Sequence, residues 1–402
     1  MRDGTWQCVE SNDVFASLEN LPPDASKLIC SFLLLDDLDT LAVTSKRVHE
    51  IAGEVDHLIM DEHVRSLGSP SKMQPAHLTE AGMRKLLQRY KSLNVLRLHG
   101  LSAVGDKLID ILNESTSAKT LHKISLHGCS LSYWCSTSLD LENLTDVTIM
   151  GGSIRVTFRS IIASTLRLQS LTIGQCSSLR DDNVNEISNK LKTTLESFSL
   201  HQCPRVKRLN LQFDKLTRLN LLGCFSLSDL PNFSCPSLKD LCFSFCFRLD
   251  GDVIQRIVGS LKVLEQLTLV KCPRLHQLGI SSDTLRSLNV SLSTNLHDLS
   301  LYCPNLRELE ATSCISLRSF HLDSQKIQEL ILNMMPLQNA EISAPELRNL
   351  KLIGCKSLFD ATFRCPNLSF VDICGTPLSP DQFREKVKFL KHGVTSLPTP
   401  MF

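Results

Sequence analysis

The 402-residue chain lacks a charge excess: Lys+Arg number 43 against Asp+Glu 42, a formal net charge of +1. A nucleic-acid binder usually carries a basic surplus, so the balance argues against that class of partner. No run approaches the eighteen or more apolar residues of a membrane span. The opening twenty residues, with their early acids and no apolar core, do not resemble a secretory signal, so cytoplasm and/or nucleus is the expected compartment. Aromatics are sparse at 5%, with 2 Trp and 3 Tyr. There is no phosphate-cradling G-x-x-x-x-G-K-S/T loop, no G-x-G-x-x-G fingerprint and no H-E-x-x-H pair. No catalytic constellation stands out, and a non-enzyme with no cofactor is the expectation.

What is plentiful is leucine and cysteine, and the two are locked together. Sixteen cysteines in a long chain without a signal peptide do not suggest a disulfide scaffold. Cys129, Cys176, Cys203, Cys224, Cys246, Cys272, Cys314 and Cys355 each close the phrase L-x-x-L-x-L-x-x-C, as in "LHKISLHGC" (121–129), "LTRLNLLGC" (216–224) and "LRNLKLIGC" (347–355). Degenerate copies start at Leu93, Leu144, Leu285, Ile327 and Leu368, giving about 13 units over residues 77–378. The period-two centre of the phrase is a short strand with one buried face. The cysteine ends it at a bend, where a small side chain turns inward and its S–H meets a backbone carbonyl. Thiols placed by a repeat are expected to be reduced.

Spacing within the array changes along the chain. Early units run 23 to 28 residues, and several carry helical patterns between strands: 79–90, 181–191 and 250–261. From Leu264 the steps are 21, 21, 21, 20 and 21 residues, and a second L-x-x-L-x-L appears inside the unit ("LHQLGI" 275–280, "LHDLSL" 296–301, "LRSFHL" 317–322). So short a coil has no room for a three-turn helix, so its outer segment must be extended. At the far end, 379–402 is expected to hold a capping helix and tail. Ser379 is placed as N-cap, Pro380 follows at N1, and Phe383, Val387 and Leu390 form the sealing stripe.

These phrases resemble the leucine-rich repeat of the cysteine-containing subtype. The resemblance implies an α/β solenoid, a horseshoe with a parallel concave sheet. Its third, fifth and seventh phrase positions would face a protein substrate. The candidate substrate-binding residues on that face are Arg97, His99, Lys123, His127, His201, Arg218, Asp240, Glu308, Glu310, Glu329, Lys351 and Phe370. Glu308, Glu310 and Glu329 form an expected acidic patch for a Lys/Arg-bearing segment. His99 and His127 fall in adjacent coils without a clearly placed third ligand, so no metal is expected.

Residues 21–60 follow another pattern. Leu21-Pro22-Pro23 opens a helix, Leu28, Ile29, Phe32 and Leu33 give a broad apolar face, and Asp36-Asp37 precedes Leu38, Leu41 and Val43. A third apolar stretch runs through Val48, Ile51, Val55 and Ile59. Leu21, Pro22, Asp24, Ile29, Leu33, Asp37, Leu38, Val43, Ser45 and Lys46 resemble the F-box, with Val48 where that family has an aromatic. An F-box before such repeats is similar to the F-box/leucine-rich-repeat family. That resemblance implies a three-helix F-box docking through Leu21, Pro22, Ile29, Leu33, Leu38 and Val43 on a Skp-type adaptor of an SCF-type cullin–RING ubiquitin ligase. The other reading is a helical cap on a ligase-independent scaffold or inhibitor. Residues 1–20 are expected to be a flexible tail and 61–76 a linker.

Overall fold

The computed structural model describes residues 57–61, 79–100, 107–129, 141–151, 167–379 and 382–383. Residues 21–56 of the segment expected to be an F-box, the adaptor-contact candidates within it, and all residues after 383, including Val387 and Leu390 of the expected capping stripe, lie outside the described residues. The chain is a parallel β-solenoid that divides into two compact units, residues 1–172 and 173–402. Among the described residues, each of the thirteen phrases carries one inner strand, and burial alternates along most of them.

In the first unit, strands β1 (His57–Asp61), β2 (Val95–His99), β3 (Lys123–His127) and β4 (Asp146–Met150) pair in parallel and in register. The outer segments are helical: α1 (Glu80–Arg89) and the short α2 (Leu108–Asn113), followed by a 3-10 turn at Thr116–Lys119. Met83 and Leu87 sit on the buried face of α1, and Leu108, Ile111 and Leu112 on that of α2. Side-chain oxygens tie the coils together where the backbone is irregular. Ser117 Oγ donates to the Tyr90 carbonyl at 2.6 Å and Thr120 Oγ1 to that of Leu93 at 2.7 Å, so neither polar group is buried unpaired.

Here the structure corrects a boundary. The sequence reading ends the helical segment at 60 and opens a linker at 61. Yet His57–Asp61 is a strand, with Leu58 opposite Leu96 and Met60 opposite Leu98. Ile59 therefore belongs to the sheet and not to a third helix, and the array starts about twenty residues before 77. The phrase is Val55-x-x-Leu58-x-Met60, and His63 stands in the cysteine place, which hid it.

Strand β5 (Ser170–Gly174) spans the division. The second unit then continues with α3 (Asp181–Lys190), β6 (Ser197–His201), β7 (Arg218–Asn220), β8 (Asp240–Cys242), α4 (Gly251–Ser260) and β9 (Gln266–Thr268). From there two strands form per coil. The inner set is β11 (Ser287–Asn289), β13 (Glu308–Glu310), β15 (Glu329–Ile331), β17 (Asn349–Lys351) and β19 (Phe370–Asp372). The outer set is β10 (Gln277–Ser281), β12 (Asp298–Tyr302), β14 (Ser319–Asp323), β16 (Asn339–Ser343) and β18 (Asp360–Arg364), a five-stranded parallel sheet. The short coils thus carry the extended outer segments that their length demands. Two coils before α4 already have extended outer segments, joined by parallel bridges Arg208 to Asp229 and Gln212 to Ser234; from β10 onward every outer segment is a strand. Gln255 on α4 accepts from the Gly279 N–H at 2.9 Å and donates to the Gly279 carbonyl. A Cβ at Gly279 would lie 3.7 Å from the Gln255 amide nitrogen, an ordinary contact, so the pairing is made by the backbone and does not depend on glycine.

Between the sheets runs a continuous file of fully buried leucines, such as Leu238, Leu264, Leu285, Leu306 and Leu347, and large rings such as Phe198, Phe213, Phe243, Phe320 and Phe363. Burying a leucine or phenylalanine contributes roughly 1.5–3 kcal/mol, so this repeated column is the main source of stability. The bend after each inner strand is left-handed. The residue before the cysteine place has positive φ, and Gly100, Gly128, Gly151, Gly223, Gly354 and Gly375 fill it where the chain uses glycine. Its N–H reaches the next coil, for example Gly223 N to Ser244 O at 2.8 Å and Gly354 N to Cys374 O at 2.7 Å.

At the far end Ser379 forms a reciprocal cap. Its Oγ accepts from Gln382 N–H at 3.2 Å while the Gln382 side chain accepts from Ser379 N–H at 2.9 Å. Phe383 is fully buried, with its ring 5.0 Å from that of Phe363.

Candidate functional site

Fixed phrase positions make the inner sheet face a grid. Inward residues are leucines or other large apolar side chains; the third, fifth and seventh positions are mostly half-buried or exposed, with Ser125, Gly174 and Ser244 buried. In the first unit Arg97 pairs across to Ser125, and His99 to His127. The two imidazoles stack, centroids 4.5 Å apart and planes 15° apart. His127 Nε2 lies 2.9 Å from Ser125 Oγ. Burial, then the positive neighbours His99 and Arg97, hold His127 below the ordinary histidine pKa. Lys123 stands beside Asp146 of the next coil. Among the described residues no group of three or more His, Cys, Asp or Glu could hold a metal ion.

In the second unit the third-position row runs Ser197, Arg218, Asp240, Gln266, Ser287, Glu308, each opposite the next. The fifth-position row runs Ser199, Asn220, Cys242, Thr268, Asn289, Glu310. A shallow cavity of about 270 Å³ lies over the first four coils, lined by Arg218, Asn220, Asp240, Cys242 and Thr268 among others. Burial raises the Asp240 carboxyl, with Arg218 opposing. His201, half-buried, is held low by burial alone. Asn220 and Asn289 each accept the N–H two residues on, at 3.1 Å and 2.9 Å, closing the bend with their own side chains.

The three acidic candidates are all exposed, but their surroundings differ. Glu310 accepts a hydrogen bond from Asn289 Nδ2. Glu329 lies 3.8 Å from Lys351 Nζ, which partly compensates it. The inner ladder also changes here: β13 ends one sheet and β15 starts another. Glu308 and Glu329 hold the same phrase position in consecutive coils, and directly opposed like charges weaken strand pairing. Beyond the break Phe370 stands opposite Asn349, half-buried. The remaining candidates thus fall into two clusters, Arg97 to His127 in the first unit and Arg218 to Asp240 in the second.

The cysteines belong to the core. Cys246 Sγ donates to the Leu221 carbonyl at 3.1 Å, Cys314 to Val290 at 3.2 Å and Cys355 to Leu332 at 2.9 Å, always one coil back. Burial pushes Cys224 and Cys272 up to about 12 and Cys314 to about 11. A thiol so far from ionisation is a poor nucleophile. All the described cysteines are unpaired by disulfide, and Cys374 is exposed.

Sequence reasoning passed over the residues flanking the cysteine. Phe225 and Phe247 are exposed there and their rings stack at 5.2 Å. The signal was present as aromatic residues where most other coils place proline or serine.

No family model matches the chain, and no curated protein matches it in sequence. Among solved structures it is similar to one in the crystal structure of the Rad7 and Elc1 complex in yeast. There the identity is 13% and the TM-score 0.32, over 96% of this chain and 99% of that one.

Proposed function

We propose that this chain is the substrate-recognition subunit of an SCF-type cullin–RING ubiquitin ligase. Residues 21–56 dock on a Skp-type adaptor, and the inner face of the solenoid captures a protein substrate. The observation that carries the reading is the Leu21-Pro22 opening with Ile29, Leu33, Leu38 and Val43 behind it, placed directly before a parallel repeat array. A helical cap needs one apolar face, and the run Phe32-Leu33-Leu34-Leu35 exceeds one face. The chain itself does no chemistry in this scheme. It raises the effective concentration of a lysine-bearing substrate near the charged enzyme. Such a role belongs in the cytoplasm or nucleus.

The grid suits a protein surface better than a small molecule. Its polar groups are spread over several coils, and the cavity over Arg218 and Asp240 is shallow. Within the first unit Arg97 and Lys123 favour acidic groups, and within the second Glu308 and Glu310 favour basic ones, so each unit suits its own kind of charged surface.

The test is co-purification with a Skp-type adaptor, comparing the intact chain with Leu21→Ala/Pro22→Ala. Loss of a buried anchor should cost about 2 kcal/mol or more, roughly thirtyfold in affinity. No adaptor binding by the intact chain would make the segment before the array a cap and the protein a scaffold.

A further inference from the structure

We propose that the edge of the second unit, where each inner strand bends after its last residue, is a docking surface for an acidic peptide segment carrying an aromatic or large aliphatic side chain.

Three observations converge on this edge. The first is an exposed apolar cluster. Phe225 is 38% exposed, Phe247 36% and Leu292 44%. Phe247 stacks on Phe225 at 5.2 Å and meets Phe245 at 6.4 Å. Lys271 Nζ lies 5.5 Å from the Phe245 ring centroid.

The second is backbone conformation. Phe245 (φ 60), Lys271 (φ 57) and Leu292 (φ 61) occupy the left-handed position that Gly223 and Gly354 fill in other coils. A bulky residue there is strained by about 1–2 kcal/mol. The bend itself needs only glycine, so the large side chains serve something other than folding.

The third is charge. Across the eight coils whose cysteine place is Cys203 to Cys355, the residue before that place and the two after it include five cations and no acid; of these Arg274 is already paired with Asp250 at 3.1 Å. Lys271 and Arg248 flank the aromatic cluster, and both are exposed. Stacked rings supply an apolar anchor site, and the cations select carboxylates around it. The bends of successive coils lie side by side, Phe245 N–H bonding to Val270 O and Lys271 N–H to Ser291 O, and such a row fits an extended peptide.

The probe is an array of fluorescent twelve-residue peptides in which Asp or Glu alternates with Phe, Trp or Leu, beside the same peptides with Lys for each acid. Binding to the purified full chain is read by fluorescence polarisation, with no adaptor present, so the result is independent of the ligase reading. The acidic peptides should bind saturably and weaken as salt is raised. Phe247→Ser should weaken them about tenfold. Arg248→Glu/Lys271→Glu, at exposed positions that leave the fold intact, should abolish binding, with unchanged thermal unfolding as the control. Equal binding of the Lys peptides, no saturable binding of the acidic ones, or indifference to the charge-reversed variant would overturn the proposal.

Discussion

Cys246 Sγ sits 3.1 Å from the carbonyl oxygen of Leu221, one coil earlier, and Ser293 repeats the relationship with Leu269 at 2.9 Å. The cysteine place is therefore a position for a small donor that closes one coil onto the last. Serine does the same where the phrase is degenerate.

Cys246→Ser should accordingly be mild, and Cys246→Ala should cost more, about 1–2 kcal/mol, from a lost hydrogen bond and a small void. Urea unfolding of both variants gives the comparison. Equal losses would show that volume alone matters.

The raised thiols also set a pH dependence. Cys224 and Cys272 ionise near 12 when folded, against an ordinary value of 9.0. The folded state then holds protons that the unfolded chain has released. Stability is full below about pH 9 and falls as pH climbs toward 12. Thiol reagent at pH 8 should modify Cys374 well before the buried set; fast reaction of all the described cysteines would contradict the burial.

Glycine at the bend has a purely conformational role in one coil. A Cβ on Gly128 (φ +62) would meet nothing nearer than Gly100 N at 4.0 Å. Gly128→Val should still lose roughly 1–2 kcal/mol, because a branched residue resists the left-handed region. Ser313→Gly, at φ 62 on an exposed bend, should stabilise slightly. Thermal unfolding of the pair tests the sign of each.

Phe383 closes the last coil against Phe363. Phe383→Ala should cost about 3–5 kcal/mol locally. Hydrogen exchange in β18 and β19 should then rise while β6 to β9 stay protected, since each coil leans mainly on its neighbours. Uniform exchange across the unit would argue for a single cooperative block.

His127 should titrate below 6.5, with His99→Ala moving it upward and burial keeping part of the depression. The imidazole resonances in an NMR titration report this directly. Because the folded ring resists its proton, stability present above pH 6.5 declines as the solution is acidified.

Much of this molecule is legible in one dimension. The Leu-x-x-Leu-x-Leu-x-x-Cys phrase specifies strand, bend and buried thiol together, because a period-two pattern allows only one face inward. Coil length specifies whether the outer segment is helix or strand: α3 and α4 fill long coils, and β10 to β18 fill short ones. The polar ring of Ser379 and Gln382 follows from the cap residues themselves. Strand β1 was not legible, since Val55 and His63 disguise its phrase until Leu58 is seen opposite Leu96.

What the tertiary structure decided is which side chains meet across coils. Phrase position places Glu308, Glu310 and Glu329 on one face. Only the stacking shows that Asn289 and Lys351 engage two of them and that the ladder breaks between β13 and β15. His99 against His127, and Phe225 against Phe247, are likewise contacts between residues 28 and 22 positions apart. Local periodicity fixes the face a residue takes, because that depends on its own backbone; its neighbour on that face depends on the length of the coil between, and on how both side chains pack once it closes.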